Sequence, residues 1–366
     1  MTFETLLRAV DRVPGGRYAK HAVAAALDRT PVPYAARLRM RRLGFKAEAF
    51  VLYQLDRNDA AHYLPDRCWS DMAKVDGATV QALLGNKLLF HHTFRDELPL
   101  PDVPATLALG RLVPNRASER AIASFDDLVR YLEEVGPVML KPIGGGKGRG
   151  IHRVEASSDG LLYDGRPTPV GDVAAAIDRL DGVLVSAFVR QATYAAEIFP
   201  GSANTMRLIV MRDVDTGEPF VPAAIHRFGR TETVPVDNYS RGGVFAGIDA
   251  ATGEMGPLFG YDAKVARTSW RDDHPDTGAP VRGVVVPGWH EVVDRLLTFT
   301  RRHPYFSYVG WDVVKTDTGM AILEANYGAG LQIQVVRPFL TDPRIRRFVE
   351  ARGIYAPNGA PHRRSA

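Results

Sequence analysis

The chain has 366 residues, of which 45% are apolar and 24% charged, and this ordinary globular composition excludes wholesale disorder. Its length exceeds what one compact core usually supports, so we expect two or three structural units. With 46 basic and 42 acidic residues the net charge is +4, which suits an anionic small ligand as well as nucleic acid and decides neither.

The sole cysteine, Cys68, excludes an internal disulfide and a cysteine-based zinc site, and it favours a reducing cytoplasm as the location. Charged residues interrupt the apolar pattern of the N-terminal segment, which argues against a signal peptide. No run of about 20 apolar residues occurs, so we expect no membrane span.

Residues 1–78 are predicted to form a helical N-terminal region. Apolar residues recur at helical spacing in "FETLLRAVDRV", "KHAVAAALDR" and "FKAEAFVLYQL", between Pro and Gly breaks. The basic stretch "RLRMRRLGFK" (37–46) allows contact with nucleic acid or lipid, but such a run is more often a solvated helix face. Nucleic acid is therefore not the expected partner.

Residues 79–189 are predicted to form a small α+β unit. It opens with one helix in "VQALLGNKLLFHHTFRD", followed by "LPLPDVPATLAL", where prolines force an extended path. The pattern then alternates: helix 124–135, strand 138–142, glycine loop, strand 151–155, helix 170–180 and strand 183–189. Strands dominate residues 190–345, with one helix at 289–301, and residues 346–366 are predicted to be a tail.

The glycine loop in "VMLKPIGGGKGRGIHRVE" (138–155) predicts a phosphate-binding flap. A Walker A loop requires Gly six positions before its lysine, but that position relative to Lys147 is Lys141, and no start satisfies the dinucleotide fingerprint. Both of those templates also lead into a helix, whereas this loop leads into a strand. A strand, loop and strand can cover phosphates from above, as in protein kinases. A connector without a ligand remains the alternative.

The segment "GWDVVKTDTGMAILEAN" predicts a β-hairpin that carries a metal site. If the turn is 317–319, with Gly319 in the left-handed conformation, Asp312 lies opposite Glu324. Asn326 follows two residues after Glu324 and faces the same side. Opposed carboxylates repel unless a cation lies between them, and oxygen ligands suit Mg²⁺. An Arg or Lys bridging the pair is the alternative.

The ordered motifs resemble the ATP-grasp superfamily, most closely its sugar-transfer associated branch, which is related to α-L-glutamate ligases. They are "NKLLF", "VMLKPIGGGKGRGI", "LVSAFV", "NTMRLIV", "VDNYSRGGVFAGID", "HPDTG" and "GWDVVKTDTGMAILEANYG", and they span roughly residues 80–340. The resemblance implies an α+β, ATP-grasp fold in which two subdomains, 79–189 and 190–345, clamp ATP. The helical opening replaces the strand and helix unit that many relatives carry there.

The resemblance also implies site residues, with ATP and Mg²⁺ as cofactors. The residues implied for ATP are Lys87, Lys141, the loop residues Gly144, Gly145, Gly146, Lys147 and Gly148, the hinge residues Ala187, Phe188 and Val189, and for ribose Thr205 or Glu197. Those implied for Mg²⁺ are Asp312, Glu324 and Asn326. Arg207 matches the arginine that faces the γ-phosphate and the acyl phosphate in relatives such as glutathione synthetases.

The acceptor site is predicted from the residues between the better-defined motifs. Arg227, Asn238 and Arg241 are its expected catalytic groups beside Arg207 and Lys141, because arginine suits bidentate recognition of a carboxylate. His226 is expected to be a hydrogen-bonded strand residue rather than a base, and His274 lies in a family motif whose role the sequence does not reveal.

The predicted activity is an ATP-dependent carboxylate–amine ligase that forms an amide through an acyl phosphate in a biosynthetic pathway for a cell-surface sugar, peptide or specialised metabolite. Its partners would be small-molecule carboxylate and amine substrates, with the oligomeric state open. Two alternatives remain: a kinase that phosphorylates a small-molecule hydroxyl, and a non-catalytic ATP-grasp protein that docks RNA or a carrier protein.

Overall fold

The computed structural model describes residues 16–145 and 149–356. The predicted helix in "FETLLRAVDRV" and the predicted loop residues Gly146, Lys147 and Gly148 lie outside these ranges. Two seven-stranded antiparallel sheets organise the described residues. The site described below lies between them.

Helices occupy both ends of the described chain and the connections between strands. Their bounds are α1 (Gly16–Leu27), α2 (Tyr34–Leu43), α3 (Ala49–Leu52), α4 (Trp69–Met72), α5 (Gly77–Gly85), α6 (Lys87–Phe94), α7 (Phe125–Glu134), α8 (Val170–Ile177), α9 (Thr193–Ile198), α10 (Trp289–Arg302) and α11 (Pro343–Ala351). Short 3₁₀ turns are Ala60–His62, Asp66–Cys68, Tyr239–Arg241, Leu331–Val335 and Phe339–Thr341.

The first sheet has the strand order β2-β1-β7-β3-β4-β5-β6 and the second β12-β11-β10-β9-β8-β13-β14. The first comprises β1 (Ala105–Ala108), β2 (Arg111–Pro114), β3 (Val138–Pro142), β4 (His152–Ser157), β5 (Gly160–Tyr163), β6 (Arg166–Thr168) and β7 (Val183–Ala187). The second comprises β8 (Met206–Arg212), β9 (Pro219–Phe228), β10 (Val244–Ile248), β11 (Met255–Asp262), β12 (Arg267–Arg271), β13 (Tyr308–Thr316) and β14 (Gly319–Asn326).

One face of the first sheet is covered by α7 and α8, whose apolar residues form a core with those of β3 and β7. Helix α7 begins where the sequence predicts, because Ser124 and Asp127 form a capping box. The Ser124 hydroxyl accepts the Asp127 N–H at 3.1 Å, and the Asp127 carboxylate accepts the Ser124 N–H at 3.1 Å. The glycine loop follows β3 and leads into β4, the strand, loop and strand arrangement predicted.

The second sheet is buried on both faces, because successive residues of its strands alternate between two cores. In β8, Leu208 and Val210 face α5, α6 and α10, whereas Ile209 and Met211 face the N-terminal helical region and α11. The N-terminal region therefore shares a core with the sheet. A buried side chain links them, since Gln334 accepts the Leu64 N–H at 2.7 Å and donates to the Leu64 carbonyl at 3.1 Å.

Three segments differ from the sequence expectations. "VQALLGNKLLFHHTFRD" forms two helices because Asn86 is extended and its side chain caps α6. "FKAEAFVLYQL" is helical only at α3, and Gln54 has φ +49°. Residues 346–351 continue α11 rather than form a tail, because Phe348 and Val349 are buried against the second sheet's core.

Candidate active site

A cleft of about 1810 Å³ lies between the sheets and extends to the N-terminal helical region. Most of the predicted site residues that the structure describes line it: Lys87, Lys141, Gly145, Phe188, Val189, Thr205, Arg207, Arg227, Asn238, Arg241, Asp312, Glu324 and Asn326. Gly144, Ala187 and Glu197 do not line it, and Glu197 is solvent-exposed at the end of α9. The N-terminal region contributes Lys46, Glu48, Leu52, Asp66 and Trp69 to the same wall.

Two lysines line the cleft, Lys141 from strand β3 of the first sheet and Lys87 from helix α6. Lys87 is the first residue of α6, and its Nζ donates to the Gly145 carbonyl at 3.0 Å and lies 4.0 Å from Glu324 Oε1. Burial and repulsion from Lys87 lower the pKa of Lys141 to about 8. No residue within 16–145 or 149–356 accepts a hydrogen bond from the Lys141 ammonium group, so this cation is suited to an anionic ligand.

The hairpin of β13 and β14, which was predicted to carry a metal site, has the predicted pair of carboxylates but a different turn. Asp312 lies opposite Glu324, yet Thr316 pairs with Gly319, so the turn has two residues rather than three. Gly319 is not in the left-handed region. A bulge at Leu323 restores the register, because Ile322 pairs with the residue after Asp312. The expected juxtaposition is thus present, although the predicted turn geometry is wrong.

Two arginines hold Asp312. It lies opposite Arg207 on the neighbouring strand β8, whose Nε and Nη2 donate to its carboxylate at 2.5 and 2.9 Å. Arg227 Nη2 lies 3.1 Å from Asp312 Oδ1. Burial raises the pKa of Asp312, but the charges of Arg207 and Arg227 outweigh that effect and lower it. Asp312 is therefore paired with two arginines, but within the described residues no Arg or Lys forms an ion pair with both Asp312 and Glu324, as the alternative to a metal required.

Neighbouring cations compensate the negative charge of Glu324 less than that of Asp312. Burial and the neighbouring Asp312 raise its pKa, and Lys87, 4.0 Å away, opposes this only partly. Within the described residues no cluster of three His, Cys, Asp or Glu side chains has metal-binding geometry. The predicted set has only two carboxylates and the amide of Asn326, so it fits a Mg²⁺ ion that takes its other ligands from phosphates and water.

The predicted hinge follows β7, whose last residue is Ala187. The backbone N–H groups of Ala187 and Phe188 donate to the carbonyls of Asp102 (2.8 Å) and Pro137 (3.0 Å), so they are not available to an adenine. Val189 has no such backbone bond within the described chain. The guanidinium of Arg153 lies 4.5 Å from the centre of the Phe188 ring at this end of the cleft.

The predicted ribose position is occupied by Thr205, which is buried and bonded to a residue that the sequence analysis missed. Asp237 is 8% exposed, lines the cleft and accepts the Thr205 N–H at 2.8 Å and its hydroxyl at 2.5 Å. The signal available in the sequence was its position in "VDNYSRGG", one residue before the predicted Asn238. An aspartate directly beside an expected site residue was a candidate for the site on that ground alone.

The loop between β9 and β10 carries two of the predicted acceptor groups, Asn238 and Arg241, whereas Arg227 lies on β9 itself. Asn238 caps the 3₁₀ turn by accepting the Ser240 N–H at 3.2 Å, and Arg241 is exposed on the cleft wall. Arg230 is bound to Asp276 at 2.9 Å, and the ring of buried His274 contacts the Gly229 carbonyl at 2.9 Å. His274 thus supports the outer side of the loop.

His226 is a strand residue, as expected. Its Nε2 contacts the Tyr194 hydroxyl at 2.8 Å and burial lowers its pKa to about 3, which keeps the ring neutral. Burial likewise raises the pKa of the Cys68 thiol to about 11, which disfavours a nucleophilic thiolate. Neither residue lines the cleft.

A comparison with protein families finds that the sugar-transfer associated ATP-grasp model matches residues 73–347. The match confirms the resemblance inferred from the motifs and the assignment to the ATP-grasp enzymes. The two sheets agree with the predicted α+β ATP-grasp fold, and helices α1 to α4 agree with its predicted helical N-terminal region. A comparison with curated protein sequences found no match. No helix in the described ranges is long and apolar enough to cross a membrane.

Similar solved structures include the ATP-grasp ligase PsnB complexed with minimal precursor, with 16% identity over 76% of this chain and 61% of that one, TM-score 0.39. Biotin carboxylase from Campylobacter jejuni has 13% identity over 75% and 47%, TM-score 0.41. D-alanine–D-alanine ligase from Bacillus anthracis has 12% identity over 68% and 58%, TM-score 0.35. This chain covers 52 to 61% of the length of the chains in three PsnB complexes.

Proposed function

The chain belongs to the sugar-transfer associated ATP-grasp family, and from that premise we propose that it is an ATP-dependent, ADP-forming carboxylate–amine ligase that works through an acyl phosphate. One observation carries the proposal. The cleft brings Lys141 of the first sheet and Lys87 of helix α6 to the Asp312 and Glu324 pair of the second sheet. Cations for phosphates and oxygen ligands for a metal thus meet in one place.

Charge placement accounts for the chemistry that such a site performs. Phosphoryl transfer requires the nucleotide, the nucleophile and neutralising groups to be held together, rather than a nucleophilic side chain. Lys141, Arg207 and Arg227 are the cations proposed to face the phosphates and the negative charge of the transition state. Mg²⁺, held by Asp312, Glu324 and Asn326, would supply further neutralisation of the phosphate oxygens.

The proposed reaction has two steps. A substrate carboxylate oxygen attacks the γ-phosphorus, the bond from that phosphorus to the β–γ bridging oxygen breaks, and ADP leaves. The amine then attacks the acyl carbon, phosphate leaves and the amine loses a proton. Asn238 and Arg241, on the loop beside Arg227, are the groups proposed to orient the acceptor.

The N-terminal helical region lines part of the cleft, which supports the binding of a substrate there beside the nucleotide. Lys46, Asp66 and Trp69 come from that region and line the wall. Trp69 is 46% exposed, and its indole N–H donates to the Gly328 carbonyl at 3.3 Å, two residues after Asn326. We propose that this wall borders the carboxylate or amine substrate, and that the enzyme acts in a cytoplasmic biosynthetic pathway.

The kinase alternative differs only in the nucleophile, so trapping the intermediate separates the two. The experiment incubates the enzyme with Mg²⁺ and ATP, a panel of acids and amines, and hydroxylamine. A hydroxamate together with ADP and phosphate supports the ligase. A stable phosphorylated product without hydroxamate overturns it in favour of the kinase.

The non-catalytic alternative relied partly on the basic stretch. In the structure Arg41 is paired with Asp28 at 2.7 Å, Arg37 donates to the Asp28 carbonyl, and Arg39 donates to the Leu55 carbonyl at 2.9 Å. These arginines stabilise the N-terminal region itself, which disfavours RNA or carrier-protein docking through them. This alternative would nevertheless be favoured if no acid or amine of the panel led to ADP release.

A further inference from the structure

Asp237 lies in the loop of residues 229–243 that joins β9 and β10, although its carboxylate is buried. Its Oδ2 accepts the Thr205 N–H at 2.8 Å and the Thr205 hydroxyl at 2.5 Å. Thr205 immediately precedes β8, the strand that carries Arg207. The carboxylate therefore ties this loop to the start of a strand in the phosphoryl-transfer site.

The Thr205 hydroxyl extends this connection to Arg227. Because its proton goes to Asp237, its oxygen is free to accept, and it accepts bonds from Arg227 Nε at 2.9 Å and from Arg227 Nη2. Arg227 Nε also lies 3.7 Å from Asp237 Oδ2. On its other side Arg227 Nη2 lies 3.1 Å from Asp312 Oδ1. The guanidinium of Arg227 is thus held between two carboxylates.

Arg207 is held differently. Within the described residues the side-chain hydrogen bonds of Arg207 go only to Asp312. If Asp312 turns to a cation, Arg207 loses its hydrogen-bond partner, whereas Arg227 keeps Thr205 and Asp237. The two arginines therefore differ in the hydrogen bonds that they would keep when a cation binds Asp312.

We propose that Asp237 is a positioning residue, which through Thr205 keeps Arg227 in the phosphoryl-transfer site while Arg207 is released towards the phosphates. The inference rests on the proposed function. It also joins the loop of residues 229–243, with Asn238 and Arg241, to the metal ligand Asp312 as one hydrogen-bonded unit. An acceptor that contacts this loop would therefore affect the position of the Arg227 side chain.

The kinetic test compares Asp237→Asn, Thr205→Val and Thr205→Ser. We expect kcat for ADP release to fall about 10- to 100-fold in the first two, with a much smaller effect on KM for ATP, because Arg227 loses its support whereas Lys87 and Lys141 are untouched. Thr205→Ser keeps the hydroxyl and should recover most of the kcat that Thr205→Val loses. An equal loss in Thr205→Ser, or a change in KM alone, overturns the proposal.

A double-mutant cycle separates positioning from general destabilisation. In an Arg227→Ala background, Asp237→Asn should lower kcat by less than about twofold further, because both substitutions act on the same guanidinium. Independent, multiplicative losses contradict the proposal. Asp276→Asn is the matched control, because Asp276 supports the outer side of the same loop through Arg230 and the Thr231 N–H at 2.7 Å.

A second readout needs no turnover. In ¹⁵N-arginine-labelled protein, the Nε–H signal of Arg227 is identified by its loss in Arg227→Lys, and its hydrogen exchange with solvent is measured. We expect exchange to become at least about tenfold faster in Asp237→Asn and to be unchanged in Asp276→Asn. Unchanged exchange in Asp237→Asn overturns the positioning role, whereas an original enzyme that releases no ADP overturns the proposed function instead.

Discussion

Asp312 and Glu324 lie opposite each other on β13 and β14, and their pKa values are shifted in opposite directions. The difference comes from their neighbours. Arg207 and Arg227 contact Asp312, whereas the ammonium group of Lys87 is 4.0 Å from Glu324. The two carboxylates are therefore unequal as proposed metal ligands, because positive charges lie closer to Asp312 than to Glu324.

The first prediction concerns Asp312. Asp312→Asn should lower Mg²⁺-dependent ADP release at least about 100-fold, because one ligand and one compensating charge are lost. Arg207 and Arg227 lose an anionic partner, so the free energy of unfolding should also fall by about 3 kcal/mol. Turnover is measured at a temperature where circular dichroism shows the variant to be folded.

Two further variants control that experiment. Asn326→Ala removes only a predicted ligand with a weak contact, 3.4 Å to the Gly310 carbonyl, and should raise the Mg²⁺ concentration needed for half-maximal turnover. Asp294→Asn, on the exposed side of α10, should change neither property. Full activity of Asp312→Asn would refute the metal assignment.

The second prediction is a pH dependence of ATP binding. The pKa of Lys141 is lowered to about 8, so its ammonium group is charged below pH 8 and neutral above it. The dissociation constant for ATP, measured by calorimetry, should rise by about tenfold at most between pH 7 and pH 9 as this cation is lost. Lys141→Met should bind ATP weakly at both pH values and lose most of this dependence; an unchanged affinity would exclude contact of Lys141 with the nucleotide.

The third prediction concerns the break between α5 and α6. Asn86 accepts the Leu89 N–H at 2.9 Å, so Asn86→Ala should lower the free energy of unfolding by about 1 kcal/mol. Because Lys87 is the first residue of the capped helix, ATP should also bind more weakly. Asn86→Ser retains a capping oxygen and should restore most of both losses. Equal thermal stability of the Ala and Ser variants would contradict the role of the cap.

The fourth prediction tests whether the N-terminal region unfolds together with the second sheet. Gln334→Ala leaves the buried N–H and carbonyl of Leu64 without partners, so the free energy of unfolding should fall by about 2 to 3 kcal/mol. Chemical denaturation should keep a single transition for this variant and for Gln332→Ala, a cleft residue whose loss should cost less than about 0.5 kcal/mol. Separate transitions would show that the region is independent.

Local signals were sufficient for many elements. Segment 124–135 was predicted to be a helix and forms α7, which begins at the capping box of Ser124 and Asp127; strands were predicted to dominate residues 190–345, which hold the second sheet. The paired register of Asp312 and Glu324 was also predicted, although the two-residue turn and the Leu323 bulge that produce it were not. Two errors in the turn cancelled, because a shorter turn and one extra residue shift the register in opposite directions.

The sequence by itself determined the order of the motifs, on which the resemblance to the family rests, and the residue types of the candidate site, because both can be read along the chain. Only the tertiary structure decided the partners of each charged group. Asp237 joins Thr205, and Arg227 joins Asp312, across long stretches of chain. Such contacts depend on which strands become neighbours in the sheet, and periodicity within a segment carries no information about its neighbours.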